Sequence, residues 1–126
     1  MHIEYSRGCD ADDAINRLCR AIYDAMKAAG IFPLAGIRVR AFCADVAIVA
    51  DDVPENDFVA MTLSVGAGRS TEVLKAAGDQ IFQAAQTALA DRLAAPHFAL
   101  SLEIREINSD LSWKDTPIHA RLSKKD

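Results

Sequence analysis

Apolar positions along this chain switch repeatedly between a period of about two and a period near 3.6, and each switch marks a change of element. Ile3 to Tyr5 have the composition of the end of a strand that begins with the first residues. Cys9, Asp10, Ala11, Asp12 and Asp13 then offer acidic groups suited to a helix N-cap and first turn. Ile15, Leu18, Cys19, Ile22 and Met26 follow at helical spacing, with Arg17, Arg20, Asp24 and Lys27 on the other side. Gly30 stands where a left-handed glycine closes a helix, so the spacing predicts a helix over about 10–29. After a turn at Pro33 and Gly36, Ile37, Val39 and Ala41 alternate with Arg38 and Arg40 as a strand, which Cys43 to Ala50 extend through a bulge or bend.

A polar connector, Asp51 to Asn56, reads as solvated loop, and the pattern then repeats. Phe58 to Val65 form a strand with Val59, Met61, Leu63 and Val65 on one face. Gly66-Ala67-Gly68-Arg69-Ser70 turns into a helix that Ser70 can cap, with Leu74, Ala77, Ile81, Ala85 and Ala88 as its buried stripe, as far as about Leu93. Pro96 stops it, and Leu100, Leu102 and Ile104 alternate with Ser101, Glu103 and Arg105 in a last strand over 99–107. The tail from Asn108 reads as irregular, with Trp113 as its one large apolar anchor.

The order is therefore β-α-β, connector, β-α-β. Each crossover is long enough to make its two strands parallel and right-handed. The expected fold class is α/β (an α+β sandwich), a four-stranded sheet with two helices on one face. Residues 1–126 are expected to form a single domain, with halves at about 1–50 and 57–107 and a C-terminal tail over 108–126. The second sheet face, carrying Thr62, Ser64, Ser101 and Glu103 beside Phe58 and Ala60, would stay exposed unless another subunit covered it.

Composition narrows the function. Apolar residues at 51% and charged residues at 25% are those of an ordinary globular protein. A net charge of −4 argues against a nucleic-acid partner, and the short basic run Lys124-Lys125 does not alter that. No apolar run is long enough for a membrane span, and Met1-His2-Ile3-Glu4 lacks the basic start and apolar stretch of a secretory signal, so a cytoplasmic location is expected. Cys9, Cys19 and Cys43 form no CxxC pair, and His2, His97 and His119 share no ligand spacing, so neither a disulfide framework nor a metal site is expected.

The most informative local motif is Gly66-Ala67-Gly68-Arg69-Ser70. Its glycines let the backbone turn sharply before a helix start, and Arg69 adds a planar donor suited to a carboxylate. It lacks the Gly-Lys-Ser/Thr ending of a phosphate loop. Arg38, on the face opposite Ile37 and Val39, is either an exposed charge, an inter-subunit salt bridge or a ligand group. Arg40 reads as a surface or interface charge, and no Ser-His-Asp or Cys-His arrangement is readable.

Longer stretches add a resemblance. Gly30-Ile31-Phe32-Pro33-Leu34-Ala35-Gly36-Ile37-Arg38-Val39-Arg40 is the most specific. Phe58 to Leu63 with Gly66 to Ser70, Leu100 to Ile107, Glu4-Tyr5-Ser6 and Ile118-His119 accompany it. On these residues the chain resembles the 5-carboxymethyl-2-hydroxymuconate isomerase family of the tautomerase superfamily. The resemblance implies a tautomerase-like homotrimer of β-α-β-β-α-β subunits that needs no cofactor. It implies a keto–enol isomerase acting on a small unsaturated di- or tricarboxylic acid in homoprotocatechuate catabolism. Arginines matching Arg38 and Arg69 would hold substrate carboxylates and stabilise charge on the enolate.

The chain departs from that pattern at the base. Family members open with Pro-His, and the proline nitrogen takes the proton. Aligning Glu4-Tyr5-Ser6 with the family's Glu-x-Ser puts that proline two positions before Met1. At about 3.3 Å per residue, the Met1 amine would sit roughly 6–7 Å from the base's place, whereas proton abstraction needs about 3 Å. Either the natural chain begins Met-Pro-His ahead of the present Met1, which the intact arginine motifs favour, or this is a non-catalytic trimeric relative that binds carboxylic acids. Thr116-Pro117 also replaces a common Asn pair, which leaves the tail's role open.

Overall fold

The computed structural model describes residues 1–123, and Lys124 and Lys125 lie outside the described residues. Four strands, β1 (His2–Tyr5), β2 (Arg40–Cys43), β3 (Asp57–Gly66) and β4 (Phe98–Ile107), make one sheet in the order β2-β1-β3-β4. β1 runs parallel to β2 and β3 parallel to β4, as helical crossovers demand, while β1 and β3 meet antiparallel with Ile3 opposite Met61. The crossovers are α1 (Ala14–Ala29) and α2 (Thr71–Ala88), the second prolonged by α3 (Ala90–Leu93).

Both long helices share a single core with one sheet face. Ile3, Val59, Met61 and Leu63 from the strands close on Leu18 and Ile22 of α1 and Leu74 and Ile81 of α2. Five of these, Ile3, Val59, Leu18, Ile22 and Ile81, have no solvent contact, so each contributes roughly 1.5–3 kcal/mol of burial. The helix ends are those expected: Gly30 is left-handed at φ 73°, and the Ser70 hydroxyl accepts from the Val73 amide at 3.2 Å. On the opposite sheet face Glu4, Phe42, Ser64, Ser101 and Glu103 are exposed, and His2 stacks on Phe42 at 5.0 Å.

Four local expectations need correction. α1 starts at Ala14 rather than near Asp10, because Asp12 and Asp13 have positive φ and Cys9 is drawn into the core, donating its thiol proton to the Phe58 carbonyl at 3.3 Å. β2 spans only Arg40–Cys43, because β1 ends at Tyr5 opposite Cys43 and offers no further ladder; Val46 and Ile48 are exposed, and Arg38 precedes the strand. The stripe of α2 ends on buried Leu89, not on exposed Ala88, since the helix breaks there before α3. The tail is not irregular: a 3-10 turn at Ser109–Leu111 leads to α4 (Pro117–Ser123), and Trp113 is no anchor among the described residues, at 85% exposed.

Candidate active site

β1 begins, and β3 and β4 end, at the same edge of the core, and a cavity of about 530 Å³ opens there. Its floor is the end of β3, Leu63 to Gly66, and its walls carry Met1, Phe32, Arg38 and Arg69. The tail closes a further side with Lys114, Thr116 and His119. α4 packs against the short turn Leu34–Gly36, which leads directly into Arg38.

Arg69 is held in place before any ligand arrives. Its Nε and Nη2 donate to the Ile31 carbonyl at 3.2 and 2.8 Å, and its Nη1 donates to the Gly66 carbonyl at 3.1 Å. The guanidinium lies 5.7 Å from the Phe32 ring centroid, a cation–π distance. A guanidinium has five N–H groups, so one remains on each terminal nitrogen, enough for a bidentate carboxylate. The glycine turn makes this possible: Gly68 takes φ 113°, and Gly66 presents its carbonyl to the arginine three residues on.

Arg38 is arranged differently. Its side chain lines the cavity, is exposed, and has no hydrogen-bond or ion-pair partner among the described residues. Its carbonyl accepts from the Met1 nitrogen at 2.7 Å, while the Arg40 amide donates to the Met1 carbonyl at 3.1 Å. Met1 is thus already engaged in the β1–β2 ladder. Burial, and then the charges of Arg40 and Arg38, push its amine below the ordinary value.

The structure therefore brings the two predicted arginines to one cavity, together with Met1. Lys114 and His119 were not expected there as ligand groups: the tail's position depends on α4, whose start is signalled only by Pro117 in its first turn. Among the described residues no aspartate or glutamate lines the cavity, although the chain has 18 acidic residues against 14 basic ones. Among the described residues no three His, Cys, Asp or Glu side chains gather as a metal ion would need. No described helix is long and apolar enough to cross a membrane.

Known proteins resemble this chain in sequence and fold. The model of the family described as 5-carboxymethyl-2-hydroxymuconate isomerase matches residues 1–122. The 5-carboxymethyl-2-hydroxymuconate Delta-isomerase of Escherichia coli is 41% identical over 95 residues, 75% of each chain. The crystal structure of a 5-carboxymethyl-2-hydroxymuconate isomerase from Deinococcus radiodurans R1 superposes with a TM-score of 0.87 at 35% identity, covering 96% of this chain and 91% of that one. A fused 4-OT, a wild-type symmetric trimer, is alike in fold alone, with a TM-score of 0.63 at 21% identity over 94% of this chain and 96% of that one.

Proposed function

The chain belongs to the 5-carboxymethyl-2-hydroxymuconate isomerase family, and from that membership we propose that it is a keto–enol isomerase acting on a small unsaturated di- or tricarboxylic acid such as 5-carboxymethyl-2-hydroxymuconate. The observation that carries this reading is the cavity itself, cationic and, among the described residues, lined by no acid in an acidic chain. Such a lining attracts a polyanion and raises its local concentration. Membership in a family of isomerases favours turnover over binding alone.

The chemistry asks for little beyond these groups. A proton leaves an oxygen or carbon of the dienol system and returns at another carbon, with no net electron transfer, so the reaction needs no oxidant or reductant. Negative charge builds on an oxygen as the proton moves. Arg69 fits the stabilising role, because three of its N–H groups are fixed by backbone carbonyls and the remaining two need no reorganisation to meet that charge. Arg38, with a free guanidinium, holds a carboxylate and fixes the acid's orientation.

In the family pattern the base is a proline, and the resemblance drawn on Glu4-Tyr5-Ser6 puts its place two residues ahead of Met1. The Met1 nitrogen is occupied by the Arg38 carbonyl, which supports a ladder position rather than a catalytic one. A strand continued from Met1 advances about 3.3 Å per residue and, because faces alternate, brings the second added residue back to the side on which Met1 lines the cavity. In this reading the subunits form a homotrimer in aromatic-compound catabolism, with neighbours covering Phe42, Val46, Ile48 and Trp113, all more than half exposed. The test is to place Pro-His ahead of Met1 and follow dienol ketonisation. The extended chain should exceed the chain that begins at Met1 by at least about 10²-fold in kcat/KM. Equal rates would reject the missing-proline assignment.

A further inference from the structure

Two arginines account for two carboxylates, and the cavity holds one more permanent cation than that. Arg69 retains one N–H on each terminal nitrogen, which saturates a single carboxylate. Arg38 can take a second. Lys114 also lines the cavity, and among the described residues its ammonium has no acidic partner. This is notable because Asp110 and Asp115 lie close to it in sequence and acids outnumber bases in the chain. Among the described residues the lining supplies no carboxylate to neutralise it.

Placement supports a ligand role. Lys114 lies between the turn Ser109–Leu111 and α4, and α4 rests on the Leu34–Gly36 turn that leads to Arg38. The lysine therefore enters from the tail side of the cavity, while the arginines come from the two βαβ halves. Three cations on three different segments can grip three acid groups of one molecule. A muconate skeleton has two carboxylates, and a carboxymethyl branch adds the third.

We propose that Lys114 is a specificity-determining residue that binds the third carboxylate of a tricarboxylic acid and so separates tri- from dicarboxylic ligands. This rests on the isomerase reading for the identity of the site, but its test does not depend on turnover. Binding of tricarballylate and of glutarate is measured by calorimetry at one ionic strength, in the chain as it stands and in Lys114→Gln and Lys114→Arg. The unsubstituted chain should bind the tri-acid more tightly. Lys114→Gln should weaken the tri-acid on the order of tenfold more than the di-acid, as loss of a charge-assisted contact predicts. Lys114→Arg should restore most of the difference.

Equal losses for both acids, or no loss for either, would overturn the proposal. Discrimination that depends on Lys114 without ketonisation in the proline-extended chain removes the isomerase reading alone. Ketonisation without that discrimination removes the Lys114 assignment alone. Failure of the unsubstituted chain to bind either acid overturns both.

Discussion

The two ends of the one sheet handle charge in opposite ways. Where β1 ends and β3 begins, Asp57 is nearly buried and every polar group around it is matched. The Ser6 hydroxyl donates to Asp57 at 2.6 Å and accepts from the Phe58 amide at 2.9 Å. Arg92 donates to the other Asp57 oxygen at 3.1 Å and to the Gly8 carbonyl. A methyl group on Gly8 would lie 2.5 Å from that same carboxylate, so a larger residue there would have to push Asp57 away from Ser6 and Arg92. At the cavity end Arg38 and Lys114 have no acidic partner among the described residues, and Arg69 bonds only to carbonyls. The same residue type thus serves two purposes. Arg92, met by an acid, joins a lock between β1, β3 and α3; Arg38 and Arg69, met by none among the described residues, are the groups the proposed function assigns to a ligand's acids.

Substitutions at the two ends should separate activity from stability. The largest effect is expected for Arg69→Ala in the proline-extended chain: kcat/KM falls about 10²–10³-fold, while urea unfolding shifts by no more than about 1 kcal/mol. The mirror case is Asp57→Ala. It strands Arg92 and the Ser6 hydroxyl, so urea titration should read a loss of about 2–3 kcal/mol while kcat/KM stays within roughly threefold. Arg38→Gln, at a freer and more exposed side chain, should cost about ten- to thirtyfold in kcat/KM with no resolved change in unfolding.

Two smaller effects sharpen the contrast further. In the chain beginning at Met1, the α-amine should lose its proton below its ordinary value of 8.0, observable by NMR titration. Between the folded value and 8.0 the unfolded chain still holds a proton that the folded chain has released, so stability should rise as pH rises through that window. Thiol reagents should modify exposed Cys43 first. Cys9, buried beneath the lock with its pKa raised chiefly by that burial, should react only as the chain unfolds. Rapid labelling of Cys9 in the folded protein would show that the lock end opens locally.

Much of the frame was legible because it follows from strong local periodicities. The stripe Ile15, Leu18, Ile22 and Met26, the alternation Val59, Met61, Leu63 and Val65, the stop at Gly30 and the helix start at Ser70 all appear in the structure where the pattern puts them. Expectations failed where a distant contact outweighed the local signal. Asp10 to Asp13 look like a helix start, but burial of Cys9 against β3 forces the chain through positive φ first. Val46 and Ile48 look like strand, but β1 is too short to pair with them. Trp113 looks like an anchor, yet it is 85% exposed and no described residue buries it.

By itself the sequence determined the order of the elements, the face each one buries and the presence of two arginines in distinctive surroundings, because hydrophobic period, capping and turn chemistry act over a few residues. Tertiary structure alone decided which charges share a cavity. Arg38 and Arg69 are far apart along the chain and meet only because β1 lies between β2 and β3. Lys114 joins them because α4 folds back onto Leu34–Gly36. Whether a cation finds an acid of its own chain or is left for a ligand depends on these long-range placements, and no local pattern encodes them.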